Sequence, residues 1–166
     1  MREKLTKGDV KKIEEEIEHR KLVVRKECLE AVKEARAHGD LSENFEYHAA
    51  KREKNQNESR IRYLENMLKN AVIVSEESRE DEVGLNNTVT LYMEDDGEEE
   101  TYKLVTSIRG NSMHNKISME SPLGRAILRK KVGDRVLVKA NETYSYYVTI
   151  RKIENTDEEA DQIRGF

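Results

Sequence analysis

No apolar run in this chain approaches the ~20 residues that a membrane-spanning helix needs. The opening Met1-Arg2-Glu3-Lys4 lacks the apolar core of a signal peptide. A single cysteine, Cys28, excludes an internal disulfide. Together these absences point to a reducing cytoplasm, where the sequon Asn141-Glu142-Thr143 has no meaning. Tryptophan is missing and phenylalanine occurs only at Phe45 and Phe166, so aromatic chemistry rests on scattered tyrosines. No glycine-rich phosphate loop, Ser-His-Asp order or paired-cysteine zinc pattern is present. The histidines His19, His38, His48 and His114 fall at no ligand spacing.

What the chain does have is charge. Charged residues make up 39% and hydrophobic ones 36%. That is too charged for one compact globule and too periodic for disorder; it fits a solvated coiled coil beside a small core. The 166 residues allow one or two small domains. Residues 1–75 carry 17 Lys/Arg against 15 Asp/Glu, and residues 76–166 carry 13 against 19. An acidic second half means that any nucleic-acid contact uses a local patch rather than a global field.

Thr6 as N-cap with Asp9 three residues later opens a first helix. Val10, Ile13, Ile17, Val24, Cys28, Ala31 and Ala35 keep an average spacing near 3.5, a seam for a partner helix. Arg20 and Lys21 interrupt it. Gly39 suits a left-handed stop, and a second helix starts within 40–43, with Tyr47, Ala50, Lys54, Asn57, Ile61, Leu64, Leu68 and Ala71 as its seam. The spacing predicts an antiparallel hairpin over 1–75 with its tip at 39–44. The acidic connector 76–83 follows.

Beyond it the period falls to about two. Strands are expected at Thr88–Met93, Thr101–Thr106, Lys116–Ser118, Arg135–Ala140 and Tyr144–Ile153. Ser121 as N-cap and Pro122 at the first helical position predict one short helix to about Arg129. The fold class is α+β: a coiled-coil hairpin, then a small antiparallel sheet with one helix over 84–153. The acidic tail 154–166 is expected to fray.

The tip holds the candidate chemistry. Asp40 and Glu43 have the spacing of a helix-capping pair, and equally of half a Mg²⁺ site that a partner must complete. Lys33, Arg36, Lys51, Arg52 and Lys54 read either as a solvated face or as phosphate contacts. Asn44, Phe45 and Tyr47 adjoin the acids; an aromatic there stacks on a base or, as favoured for Phe45, pins the turn against Leu41. Cys28 on the seam reads as a small buried apolar residue.

The run Ala35-Arg36-Ala37-His38-Gly39-Asp40-Leu41-Ser42-Glu43-Asn44, with Glu46-Tyr47-His48-Ala49-Ala50-Lys51, resembles the signature of bacterial Gre transcript cleavage factors. Ile117-Ser118, Ser121-Pro122-Leu123-Gly124-Arg125-Ala126 and Lys131-Val132-Gly133-Asp134 resemble that family's C-terminal domain. The resemblance implies a coiled-coil hairpin and an FKBP-like domain. It also implies bacterial RNA polymerase as partner, docking through Ser121, Pro122, Leu123 and Gly124, with the hairpin in the secondary channel. Asp40 and Glu43 would then share the polymerase's catalytic Mg²⁺, and Arg36, Lys51 and Arg52 would steady the nascent RNA 3′ end. The factor would be a monomer and no enzyme by itself, stimulating the polymerase's own hydrolysis of a backtracked transcript. Four features depart from the family's pattern: Phe45 stands where a smaller residue is usual, 84–88 fits the family's first strand only loosely, the loop 107–116 lacks acidic residues often seen there, and the tail beyond Ile153 runs longer. Three other readings stay open: a homologue that occupies the channel without promoting cleavage, a prolyl isomerase, and a plain coiled-coil interaction protein.

Overall fold

A computed structural model describes residues 2–39, 44–158 and 160–165. The chain divides into two compact units: residues 10–71, with the first residues of the chain, form one, and Glu3–Asp9 with Val72–Gly165 form the other. The segment Glu3–Asp9, expected to belong with the hairpin, thus groups with the second unit.

From Val10 on, the first unit holds one continuous helical rod made of α1 (Lys7–His19), a π-helical stretch (Arg20–Val24) and α2 (Arg25–Arg36). It lies against α3 (Phe45–Asn70), about 40 Å long at 1.5 Å per residue. The π turn falls where Arg20 and Lys21 break the apolar seam. A hydrogen-bonded layer replaces the missing apolar pair. Asn57 donates to the Arg20 carbonyl at 3.2 Å, and Arg20 donates back to the Asn57 side chain at 3.1 Å. Arg60, 2% exposed, adds a fork to Glu16 at 2.8 and 3.2 Å. Burial raises the Glu16 carboxyl, but Arg60 and Arg20 outweigh it and hold Glu16 below its ordinary range. Beyond the π turn the buried residues are Cys28, Val32 and Ala35. Val32 is buried in place of the expected Ala31, while Cys28 and Ala35 hold their expected positions. Across the seam α3 buries Ala50, Asn57, Ile61, Leu64 and Met67.

In the second unit β1 (Lys4–Leu5) pairs in parallel with β2 (Val72–Ile73). A five-stranded sheet runs in the order β5-β4-β3-β7-β6, from β3 (Asn87–Met93), β4 (Glu98–Val105), β5 (Lys116–Ser118), β6 (Arg135–Lys139) and β7 (Ser145–Asn155). The class is α+β as expected, but the sheet is mixed. β5 pairs in parallel with the last residues of β4, Lys103–Val105, after a loop that contains two short 3₁₀ turns. Strict alternation in β3 turns Val89, Leu91 and Met93 to the core. There they meet Leu104, Val136, Val138, Val148, Ile150 and Ile127 of helix α4 (Pro122–Ile127). Val83, assigned by sequence to the connector, is fully buried in this core, so the connector ends earlier than 83.

The tail was expected to fray. Instead its described residues close a buried charge cluster around Arg109. Thr6 and Asp9 form the predicted reciprocal cap: Asp9 N–H donates to Thr6 Oγ1 at 3.1 Å and Thr6 N–H to Asp9 Oδ2 at 3.0 Å. Asp9 also accepts from Arg109 Nε at 2.5 Å and from Thr106 at 2.6 Å. From the tail, Glu158 meets Arg109 at 3.1 Å and Asp161 meets it at 2.8 Å. Lys103 and Lys116 reach the same Asp161 carboxylate at 2.9 and 2.7 Å. Burial alone would raise the Asp161 carboxyl; Lys116, Lys103 and Arg109 bring it down to about 2. A depressed carboxyl stabilises the fold above its unfolded value near 3.9, and that stability is lost as pH falls towards 2. In acid titration, replacing Asp161 by Asn should therefore remove about 2 to 3 kcal/mol at pH 6 and almost nothing at pH 2. Equal losses at both pH values would refute the assignment.

Candidate functional site at the hairpin end

α3 starts because Asn44 caps it. Its Oδ1 accepts from the Tyr47 backbone N–H at 3.0 Å, while its Nδ2 donates to the Ala35 carbonyl at 2.7 Å. One side chain therefore satisfies an orphan donor of α3 and gives the Ala35 carbonyl, which also accepts from the His38 N–H at 3.2 Å, a further donor, tying the two helices together. Sequence reading gave the cap to Asp40; Asn44 supplies it. Asp40, Leu41, Ser42 and Glu43 lie outside the described residues. With two bonds at stake, Asn44→Ala should cost about 1 to 2 kcal/mol locally. Hydrogen exchange at the Tyr47 amide would accelerate roughly tenfold or more, while core amides of the second unit stay unchanged.

Just below the cap, Tyr47 is half-buried and sits under Arg36, whose guanidinium lies 5.6 Å from the ring centroid. The Arg36 contact lowers the Tyr47 phenol from its ordinary value. Of the three basic candidates, Arg36 is thus engaged by Tyr47. Lys51 and Arg52 are exposed and line one open groove on α3 with His48, Asn55, Gln56 and Ser59. The spacing 48, 51/52, 55/56, 59 is a helical stripe, so this polar track was present in the sequence although only its two cations were singled out. Phe45 is 87% exposed, which corrects the expectation that it packs in the turn. Its ring is available for stacking instead.

In the second unit the docking candidates hold mostly structural positions. Ser121 Oγ accepts from Gly124 N–H at 3.1 Å and donates to the Ser118 carbonyl at 2.6 Å. Gly124 is buried, and a Cβ there would collide with the Ser118 carbonyl oxygen, so the close approach of α4 to β5 requires glycine. Leu123 packs on the sheet core, and Pro122 alone of the four is exposed. Among the described residues no group of three or more His, Cys, Asp or Glu could hold a metal. None of the described helices is long and apolar enough to cross a membrane.

Residues 3–73 match the family described as "Transcription elongation factor, N-terminal", and residues 77–155 match "Transcription elongation factor, GreA/GreB, C-term". The chain is 48% identical over 136 residues to the transcription elongation factor GreA of Geobacillus kaustophilus, spanning 81% of this chain and 86% of that protein. It is 51% identical to GreA of Thermoanaerobacter pseudethanolicus, over 81% and 87% of the two chains. GreA of Bacillus subtilis shares 43% over 81% and 86%. Among solved structures, the GreA factor homolog 1 protein of Thermus thermophilus is 29% identical, with 93% of this chain and 100% of that one covered and a TM-score of 0.43. With both halves matched and nearly half the residues shared over most of each relative's length, the chain belongs to the GreA/GreB family of transcription elongation factors.

Proposed function

We infer that this factor binds bacterial RNA polymerase, enters its secondary channel with the hairpin, and stimulates the polymerase's own cleavage of backtracked RNA. The observation that carries the reading is the carboxylate pair Asp40 and Glu43 in the connection between two antiparallel helices, in a chain of this family. Two carboxylates are hard oxygen donors of the kind Mg²⁺ prefers, and two are too few to hold it without a partner. A Mg²⁺ ion held by Asp40 and Glu43 jointly with the polymerase would supply activation of the attacking water and charge stabilisation at the phosphodiester.

The residues of this chain would divide the work. Asp40 and Glu43 would supply ligands and orient the water. Lys51 and Arg52, on the exposed stripe of α3, would hold the backbone of the extruded RNA 3′ end, with Phe45 available to stack on a base. Arg36 would act through Tyr47, keeping the ring in place. Asn44 would fix where the two acids emerge. The release of a short 3′ RNA fragment restores a 3′ end in register for elongation. The test is a stalled, backtracked elongation complex: shortened transcripts that require both this protein and Mg²⁺ support the reading. Occupancy of the channel without shortening would favour a homologue that modulates the polymerase without cleavage.

A further inference from the structure

The match to the GreA/GreB C-terminal family ends at residue 155. Beyond it, the tail enters a site built by the rest of the second unit. Three cations, Lys103, Arg109 and Lys116, converge on one carboxylate, Asp161, at 2.7 to 2.9 Å. These cations belong to β4, the following loop and β5, and none of them is fully exposed. Three cationic donors around one acceptor is the geometry of an anion receptor, with the chain's own tail as its ligand. Lys103 donates as well to the Asp157 carbonyl, and the Arg164 N–H closes the strap on the Ile108 carbonyl at 2.6 Å. Beside the seat lies a cavity of about 390 Å³ lined by Arg109, Asn111, His114, Lys116, Ala160 and Gln162. There is room next to Asp161 for a group larger than a carboxylate.

Charge decides what such a group would be. Lifting the tail withdraws both Glu158 and Asp161. Lys103, Arg109 and Lys116 are then left facing Asp9, with Glu76 on the far side of Asn86. Three converging cationic donors are then opposed, among the described residues, only by Asp9 and Glu76, a local surplus of positive charge that suits a phosphate, whose several oxygens can accept from all three donors at once.

We propose that Lys103, Arg109 and Lys116 form a phosphate-binding seat for a small phosphate anion, gated by the C-terminal tail, whose Asp161 occupies the seat until such a ligand displaces it. The tail is a tethered competitor with an effective concentration on the order of mM. The seat therefore answers to phosphate compounds at mM rather than μM levels in the intact chain.

The test uses inorganic pyrophosphate on the full-length chain, with acetate at equal ionic strength as the monoanion control. In the parent, mM pyrophosphate should accelerate exchange of the Arg164 amide at least tenfold, and acetate should not. Asp161→Ala should bind pyrophosphate at least tenfold more tightly by calorimetry. Adding Lys103→Gln and Lys116→Gln to that variant should abolish the gain. Unchanged Arg164 exchange at saturating pyrophosphate overturns the proposal, and this reading stands even if the Asp161 variant does not fold. Pyrophosphate binding that survives loss of both lysines also overturns it, because the site would then lie elsewhere, for example along the basic stripe of α3.

Discussion

Replacing Asp40 and Glu43 together by alanine should lower stimulated transcript cleavage by on the order of 100-fold, the scale lost when a reacting group is misplaced by about 1 Å. Binding to the polymerase should change little. The effect is large because the two carboxylates would serve the reaction alone: the helix cap is made by Asn44, so their removal leaves the α3 start intact. Thermal unfolding of the double variant should accordingly match the parent. If the acids act as ligands, raising Mg²⁺ should restore part of the lost rate, because the weaker site is then filled by mass action. Cleavage equal to the parent's at limiting Mg²⁺ would show that the acids carry no chemistry. Loss of cleavage together with loss of polymerase binding would place them in docking instead.

The second large effect lies in the fold. Arg109→Met should destabilise the protein by about 3 to 5 kcal/mol, the scale for removing one partner of a buried ion network. Arg109 is 1% exposed, and it faces Asp9, Glu158 and Asp161 while also donating to Asn86 at 2.7 Å. Methionine fills similar volume but leaves the fully buried Asp9 without its nearest cation. By contrast, exposed pairs such as Lys131–Asp81 and Lys152–Glu154 should contribute little, because solvent screens them. In urea, with m values of about 1–3 kcal/mol/M, the Arg109 loss moves the midpoint by 1 M or more. Combining Arg109→Met with Asp161→Asn should cost less than the two single changes together, since the second removes a charge that the first left unpaired. Strict additivity, or a loss below about 1 kcal/mol, would mean that the cluster is solvated rather than buried.

The parts of this protein that could be read from its sequence are those set by local spacing. The seam positions Cys28, Ala35, Ala50, Ile61 and Leu64, alternation through Val89, Leu91 and Met93, and the Thr6–Asp9 and Ser121–Pro122 caps depend only on near neighbours and appear in the structure. Val32 and Met67, by contrast, are buried in place of the expected Ala31 and Leu68. What escaped was long-range. The burial of Arg60 leaves no local signal in the sequence, because its partner Glu16 lies 44 positions away. The tail read as solvated because its acids are contiguous, whereas the lysines and arginine that bind them come from β4, β5 and the loop between them. At the hairpin end, two residues of the Asx type competed for one cap. The Asp40–Glu43 spacing matched a capping pair, but Asn44 can also donate, and only an amide reaches both Tyr47 N–H and the Ala35 carbonyl.

The wide turn at Arg20–Val24 sets a rule for anyone re-engineering this arm. Because it lets one strand of the hairpin take up more chain than the other, lengths cannot be altered by cutting equal numbers from both sides across that level. Insertions of whole heptads placed wholly beyond it, paired between α2 and α3, would keep Cys28, Val32 and Ala35 facing inward. The same insertion straddling the Arg20–Asn57 layer would rotate the distal half, and with it whatever the end of the arm presents.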